Sequence, residues 1–253
     1  MKQFGKYISM IFLVAAAGIG AFVIYRSLTL EELISVTGHE VVGKFTFLPE
    51  HGLDGWDEKN FSRNTTEYGL INKDGIGCLK AESDNSASAL FFRQKLFFER
   101  RPFISWDWRV EEFPVHKCAE NLEKKKSFDF AAQVYVIFYD RFLTRAKALQ
   151  YVWTRDVSKG TVVKSPYTRN IKVVVLESGG ADEWNSEKRD ISGDYEQFFG
   201  EPLEKDVMAI SFMTDSDSTD SRAVAYYKNV EIGYLGGAGI EIIETGKGEP
   251  SNT

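Results

Sequence analysis

Residues Ile104–Glu111 read ISWDWRVE, and their alternation decides the fold. Ile104, Trp106, Trp108 and Val110 fall on one side of an extended chain. Ser105, Asp107, Arg109 and Glu111 fall on the other. Successive side chains of a strand point to opposite faces, so this is a strand with one apolar and one charged face. A second such run follows. Phe130, Ala132, Val134, Val136 and Phe138 alternate with Asp129, Ala131, Gln133, Tyr135 and Ile137.

Working outward, the same pattern predicts strands at Val41–Phe47, Gly77–Glu82, Ala87–Phe92, Leu149–Arg155, Ile171–Glu177, Val207–Thr214 and Arg222–Ile232. These runs are rich in branched and aromatic residues, which suit a pleated surface. Clusters of Gly, Asp, Asn and Ser separate them and mark turns. One helical interruption is expected at Gly193–Phe199, ending before Gly200 and Pro202. Many strands with so little helix predict an all-β domain over residues 41–235, a jelly-roll-like two-sheet β-sandwich.

The N-terminus reads differently. Ile8–Tyr25 holds no charge and a single serine. As a helix it would span roughly 27 Å, enough to cross a bilayer core. Lys2 and Lys6 precede it and Arg26 follows. The leading lysines favour the cytoplasmic side, which puts the body of the protein outside. The reading is one N-terminal transmembrane helix over residues 1–26, acting as a signal anchor. It would hold the chain in the inner membrane, single-pass, with the C-terminal domain in the periplasm. The rival is a cleaved signal peptide, for which Ala15–Ala17 offers small residues, giving a protein secreted to the periplasm. Residues 27–40 read as a linker with a short helix at Thr29–Val36 capped by Thr29. The tail, 236–253, is glycine-rich and then polar, and no ordered element is expected there.

Composition narrows the function classes. The chain has 253 residues, 43% hydrophobic and 27% charged, which is globular material and excludes wholesale disorder. Its formal charge of −6 argues against a nucleic-acid partner. Two cysteines, Cys78 and Cys118, exclude a disulfide scaffold; they could pair in an oxidising compartment or stay reduced. No nucleophile elbow or phosphate-cradling loop is present.

Two sets of residues remain as candidate sites. If the sheet is curved, Asp107, Arg109, Gln133, Tyr135 and Gln150 could line one concave face. Polar and planar groups on such a face suit a carbohydrate, and they equally suit plain solvent. In Thr214–Ser221, TDSDSTDS, the carboxylates of Asp215, Asp217 and Asp220 offer hard oxygens of the kind calcium takes. The same run reads as a solvated acidic turn, since the glycine and terminal glutamate of an EF-hand loop are missing. Asp107 and Glu111, four residues apart on one strand face with Arg109 between them, are the remaining carboxylate pair.

Six segments in order resemble a known bacterial family. They are FISWDWRVEEFP (Phe103–Pro114), DFAAQVYVIF (Asp129–Phe138), ALQYVWTRD (Ala148–Asp156), SPYTRNIKVVVLESG (Ser165–Gly179), KRDISGDYEQFFGEP (Lys188–Pro202) and ISFMTDSDSTDSRAVAYYKNVEI (Ile210–Ile232). Over residues 42–234 the chain resembles the family called domain of unknown function 3047. The resemblance implies a bacterial envelope protein with a jelly-roll-like sandwich, and it implies no catalytic residue. Gln133 stands where the family pattern carries an arginine.

Together these observations predict a non-catalytic module that binds carbohydrate or another envelope component. The alternatives are an envelope protein-interaction or assembly module, and a polysaccharide-acting hydrolase or lyase. The expected partners are the membrane, through residues 8–25, and a glycan or an envelope protein.

Overall fold

The computed structural model describes residues 38–236 except Asp74, Cys118, Leu143 and Thr144. The apolar run Ile8–Tyr25, the linker helix Thr29–Val36 and the tail beyond Gly236 lie outside the described residues. Among the described residues no helix is long and apolar enough to cross a membrane. The chain divides into two compact units, Val41–Tyr234 and the two termini, Met1–Glu40 with Leu235–Thr253. Within the terminal unit the Gly236 N–H donates to the Gly38 carbonyl at 2.8 Å.

Thirteen strands form an all-β two-sheet sandwich among the described residues. In chain order they are β1 (His39–Phe45), β2 (Trp56–Asn60), β3 (Glu67–Lys73), β4 (Ile76–Asp84), β5 (Ala87–Phe92), β6 (Pro102–Glu112) and β7 (Ala132–Phe138). Then come β8 (Ala148–Thr154), β9 (Val162–Lys164), β10 (Ile171–Ser178), β11 (Asn185–Asp190), β12 (Val207–Asp215) and β13 (Arg222–Leu235). The six-stranded sheet runs β11-β6-β13-β4-β3, with β1 also on β13. The seven-stranded sheet runs β2-β5-β12-β7-β8-β10-β9. Only β8 and β10 are a parallel pair among the registers of the seven-stranded sheet.

Every strand expected from alternation is present, within a few residues at its ends. The sequence reading missed β2, β3, β9 and β11, and these four are the ends of the two sheets. An end strand is half solvated and carries polar residues that discourage pairing with other chains, so it lacks the alternation that marks a buried strand. The β11 sequence NSEKRD shows this plainly.

The core lies between the sheets. Trp106 and Trp108 from β6 meet Tyr151 and Trp153 from β8, with ring centroids 5.5 and 5.7 Å apart. Phe212 and Tyr227 add a further cross-sheet pair at 4.8 Å. The Tyr227 hydroxyl donates to the Met213 carbonyl and accepts from the Gln133 N–H, so it also bonds one sheet to the other. Cys78 is a free thiol, buried against Val224 and Tyr226; Cys118 lies outside the described residues. At Gly77 a Cβ would come within 2.9 Å of the Phe47 carbonyl oxygen, so only glycine lets β4 pass there.

One helix, α1 (Ile191–Phe199), closes the edge beside β11. The Asp190 side chain caps it by accepting the Gly193 N–H, and Gly200 ends it at φ +76°. Buried Asp194 in its first turn accepts from the Tyr151 hydroxyl at 2.7 Å and from Arg189 Nε at 2.8 Å. The helix therefore docks through a satisfied buried charge, the only kind that is tolerated at low cost.

The same edge holds a carboxyl pair. Glu187 on β11 lies opposite Trp106, and Glu177 on β10 lies opposite Trp153. Paired residues share a face, so both carboxyls turn inward between the sheets. Burial pushes the Glu187 carboxyl up to about 7, and the neighbouring Glu177 pushes in the same direction. Arg189 and Lys159 oppose that rise; Lys159 is ion-paired with Glu177.

Candidate functional site

Alternation on the seven-stranded sheet sends one residue set into the core and the other outward. On β12 the core takes Ile210, Phe212 and Thr214, leaving Ser211, Met213 and Asp215 on the outer face. On β7 the core takes Val134, Val136 and Phe138, leaving Gln133, Tyr135 and Ile137. Gln150 on β8 and Ala87 and Ala89 on β5 complete this outer face.

Part of the face is covered. Leu122, Phe128 and Phe130, from the connection before β7, pack on Val152, Val173 and Val175 in a small second core. The uncovered part is a groove of about 700 Å³. Small residues make its depth, since Ala87 and Ala89 leave room where larger side chains would fill it. Tyr135 and Phe128 line it, as do Phe61 after β2 and Tyr167 in the loop between β9 and β10.

The polar residues of the floor form one chain of hydrogen bonds. Gln150 Nε2 donates to Gln133 Oε1 at 2.7 Å, and the Tyr135 hydroxyl donates to the same oxygen at 3.1 Å. Gln133 Nε2 donates to Asp215 Oδ1 at 2.7 Å, where the Phe130 N–H also arrives at 2.7 Å. These bonds fix both amide orientations. Gln150 Oε1 is then left buried with no donor among the described residues. A buried acceptor without a partner costs about 1–3 kcal/mol, a cost that an incoming O–H or N–H would relieve.

Asp215, Asp217 and Asp129 each offer a carboxylate oxygen within 4.8 Å of the others. Such a set of hard oxygens can hold a cation. Burial first, and then the Asp129 charge, hold the Asp215 carboxyl well above the usual carboxylate range. The same two causes, in the same order, raise Asp217. Asp129 also braces the turn after β12. It accepts from the Thr219 N–H and hydroxyl, each at 2.7 Å, and from the Ser218 N–H at 3.2 Å.

The five residues expected on one concave face separate into two groups. Gln133, Tyr135 and Gln150 meet in the groove. Asp107 and Arg109 lie on β6, in the other sheet, so they cannot share that face. There Asp107 accepts from Ser186 and Asn229, each at 2.6 Å, and Arg109 pairs with Asp182 at 2.8 Å. Glu111, on the same outer face as Asp107, is engaged by Lys73 and the Tyr226 hydroxyl. Of the three expected cation ligands, Asp215 and Asp217 meet in the groove. Asp220 is turned away in a left-handed conformation, φ +53°, where its Oδ1 accepts from Asn85 Nδ2. Asp129 takes the third place. It is far from Asp215 along the chain, so no spacing motif announces it.

A family model described as "Protein of unknown function (DUF3047)" matches residues 54–231. The chain belongs to that family. Its match begins just before β2 and ends within β13, so it spans nearly the whole sandwich. No curated protein matches the chain significantly. Among solved structures, the family 11 carbohydrate-binding module of the cellulosomal cellulase Lic26A-Cel5E of Clostridium thermocellum is similar at 9% identity and TM-score 0.40, covering 78% of this chain and 95% of that one. The endoglucanase cel12A from Rhodothermus marinus is similar at 9% identity and TM-score 0.44, covering 79% and 100%. The xyloglucanase domain of NopAA from Sinorhizobium fredii is similar at 13% identity and TM-score 0.43, covering 78% and 98%.

Proposed function

We propose that the chain is a saccharide-binding module of the bacterial envelope and that the groove on the seven-stranded sheet is its binding site. The observation that carries this reading is the groove floor. An aromatic-walled groove of about 700 Å³ holds a fixed chain of amides that ends in an unmet acceptor, Gln150 Oε1. Sugars present apolar C–H faces to aromatic rings and hydroxyl donors to polar groups, and this groove supplies both kinds of partner. In this reading residues 8–25 anchor the chain in the inner membrane and the sandwich faces the periplasm. A C-terminal reporter active only in the cytoplasm would overturn that placement.

The test of binding is a melting-temperature screen against neutral, amino and acidic oligosaccharides. A ligand that binds only the native state raises the melting point. The expected result is a saturable rise with one saccharide class, lost in Tyr167→Ala. Tyr167 is 56% exposed, so its removal leaves the core intact. The reading fails if no saccharide shifts the folded chain, or if Tyr167→Ala responds as the parent does.

A further inference from the structure

The polar floor of the groove is rich in acceptors and short of donors. Gln150 and Gln133 spend their Nε2 groups within the floor, and Gln150 Oε1 receives no donor among the described residues. At one end Asp215 and Asp217 line the groove, with Asp129 beside them. Among the described residues, no lysine or arginine forms an ion pair with any of the three. Of the lining lysines, Lys147 is held by Glu201 at 2.5 Å, and Lys59 stands over the lining Phe61 ring, 5.4 Å from its centroid. Carboxyls without a cationic partner, an acceptor that no described residue meets, and the Tyr135 ring in the same groove all call for one kind of ligand. Aromatic faces attract cations, and carboxylates favour charged donors.

We infer that the saccharide taken by this groove carries a free ammonium group, as an amino sugar does, seated at Asp215 and Asp217. Its hydroxyls donate to the floor, Gln150 Oε1 included. This inference deepens the saccharide reading and rests on it. An ammonium suits the site better than calcium. Calcium takes about six to eight oxygens. Here both Asp129 oxygens and Asp215 Oδ1 already accept protein N–H or O–H donors. An ammonium has three donors to satisfy and needs only the oxygens that remain.

The experiment is calorimetric titration of the full chain, in mild detergent at neutral pH, with β-1,4 oligomers of glucosamine, N-acetylglucosamine and glucose. The glucosamine oligomer is expected to bind about tenfold tighter than its N-acetyl counterpart, the difference between a charged and a neutral hydrogen bond. High salt should erase that advantage, and so should Asp217→Asn. If the variant does not fold, the salt comparison on the parent chain decides. Equal or weaker binding of the glucosamine oligomer overturns the inference and leaves the saccharide reading standing. Calcium that binds and removes the preference also overturns it, because the acidic end is then a metal centre. Failure of all three oligomers together with the neutral and acidic panel removes the saccharide reading itself.

Discussion

Replacing Glu187 by glutamine should stabilise the sandwich at alkaline pH and leave it unchanged in acid. Glu187 turns inward opposite Trp106, beside Glu177 on the other sheet. Its carboxyl rises from 4.5 to about 7, through burial first and Glu177 second. In the folded chain the group therefore keeps its proton where the unfolded chain has lost it. The stability this group contributes is fully present below about pH 4.5 and is lost as pH rises to about 7. The whole rise corresponds to about 3.4 kcal/mol. Glu187 is only part-buried, and solvent screening reduces the expected effect to about 1–2 kcal/mol. Glutamine keeps a donor for Glu177 and cannot ionise. Urea unfolding followed by tryptophan fluorescence would compare parent and Glu187→Gln at about pH 4 and about pH 8. The variant should match the parent at the lower pH and exceed it by about 1–2 kcal/mol at the higher. A parent and variant with the same pH dependence would refute the inward carboxyl pair.

Three further outcomes follow from the packing and the hydrogen bonds. Trp108→Ala, at the centre of the cross-sheet aromatic cluster, should cost about 3–5 kcal/mol in urea unfolding. Asp194→Ala leaves Arg189 and the Tyr151 hydroxyl without their shared partner; the cost should be about 3–5 kcal/mol, with α1 losing hydrogen-exchange protection first. Asp107→Ala should change stability by no more than about 1 kcal/mol, and it should leave any saccharide response intact because β6 belongs to the other sheet. A lost response in that variant would move the site off the groove.

Part of the candidate site was legible in the chain. Gln133, Tyr135 and Gln150 stood out because they interrupt apolar alternation with planar polar groups, and Asp215 and Asp217 stood out as clustered acids. Asp129 offered no such signal. It precedes a strand and reads as the polar half of an alternation, yet it ends beside Asp215 because β7 and β12 pair. Tyr167 and Phe61 lie in connecting segments with no periodicity at all. Only the folding of those segments over the sheet places them on the groove.

The sequence by itself determined which segments are buried strands and which side of each faces the core. Period-two burial is a local property, written in a few consecutive residues, and Trp106 and Trp108 at 1% and 0% exposure obey it. The end strands β2, β3, β9 and β11 escaped that reading because half-solvated strands need no apolar alternation. Tertiary structure alone decided which sheet each strand joins. The neighbours β6 and β7 look alike in sequence, yet the connection between them crosses the sandwich and separates Asp107 and Arg109 from Gln133 and Tyr135. Alternation fixes a face relative to the strand's own axis. Pairing partners are chosen by long-range packing, and that packing brought the amides and the acids to one groove.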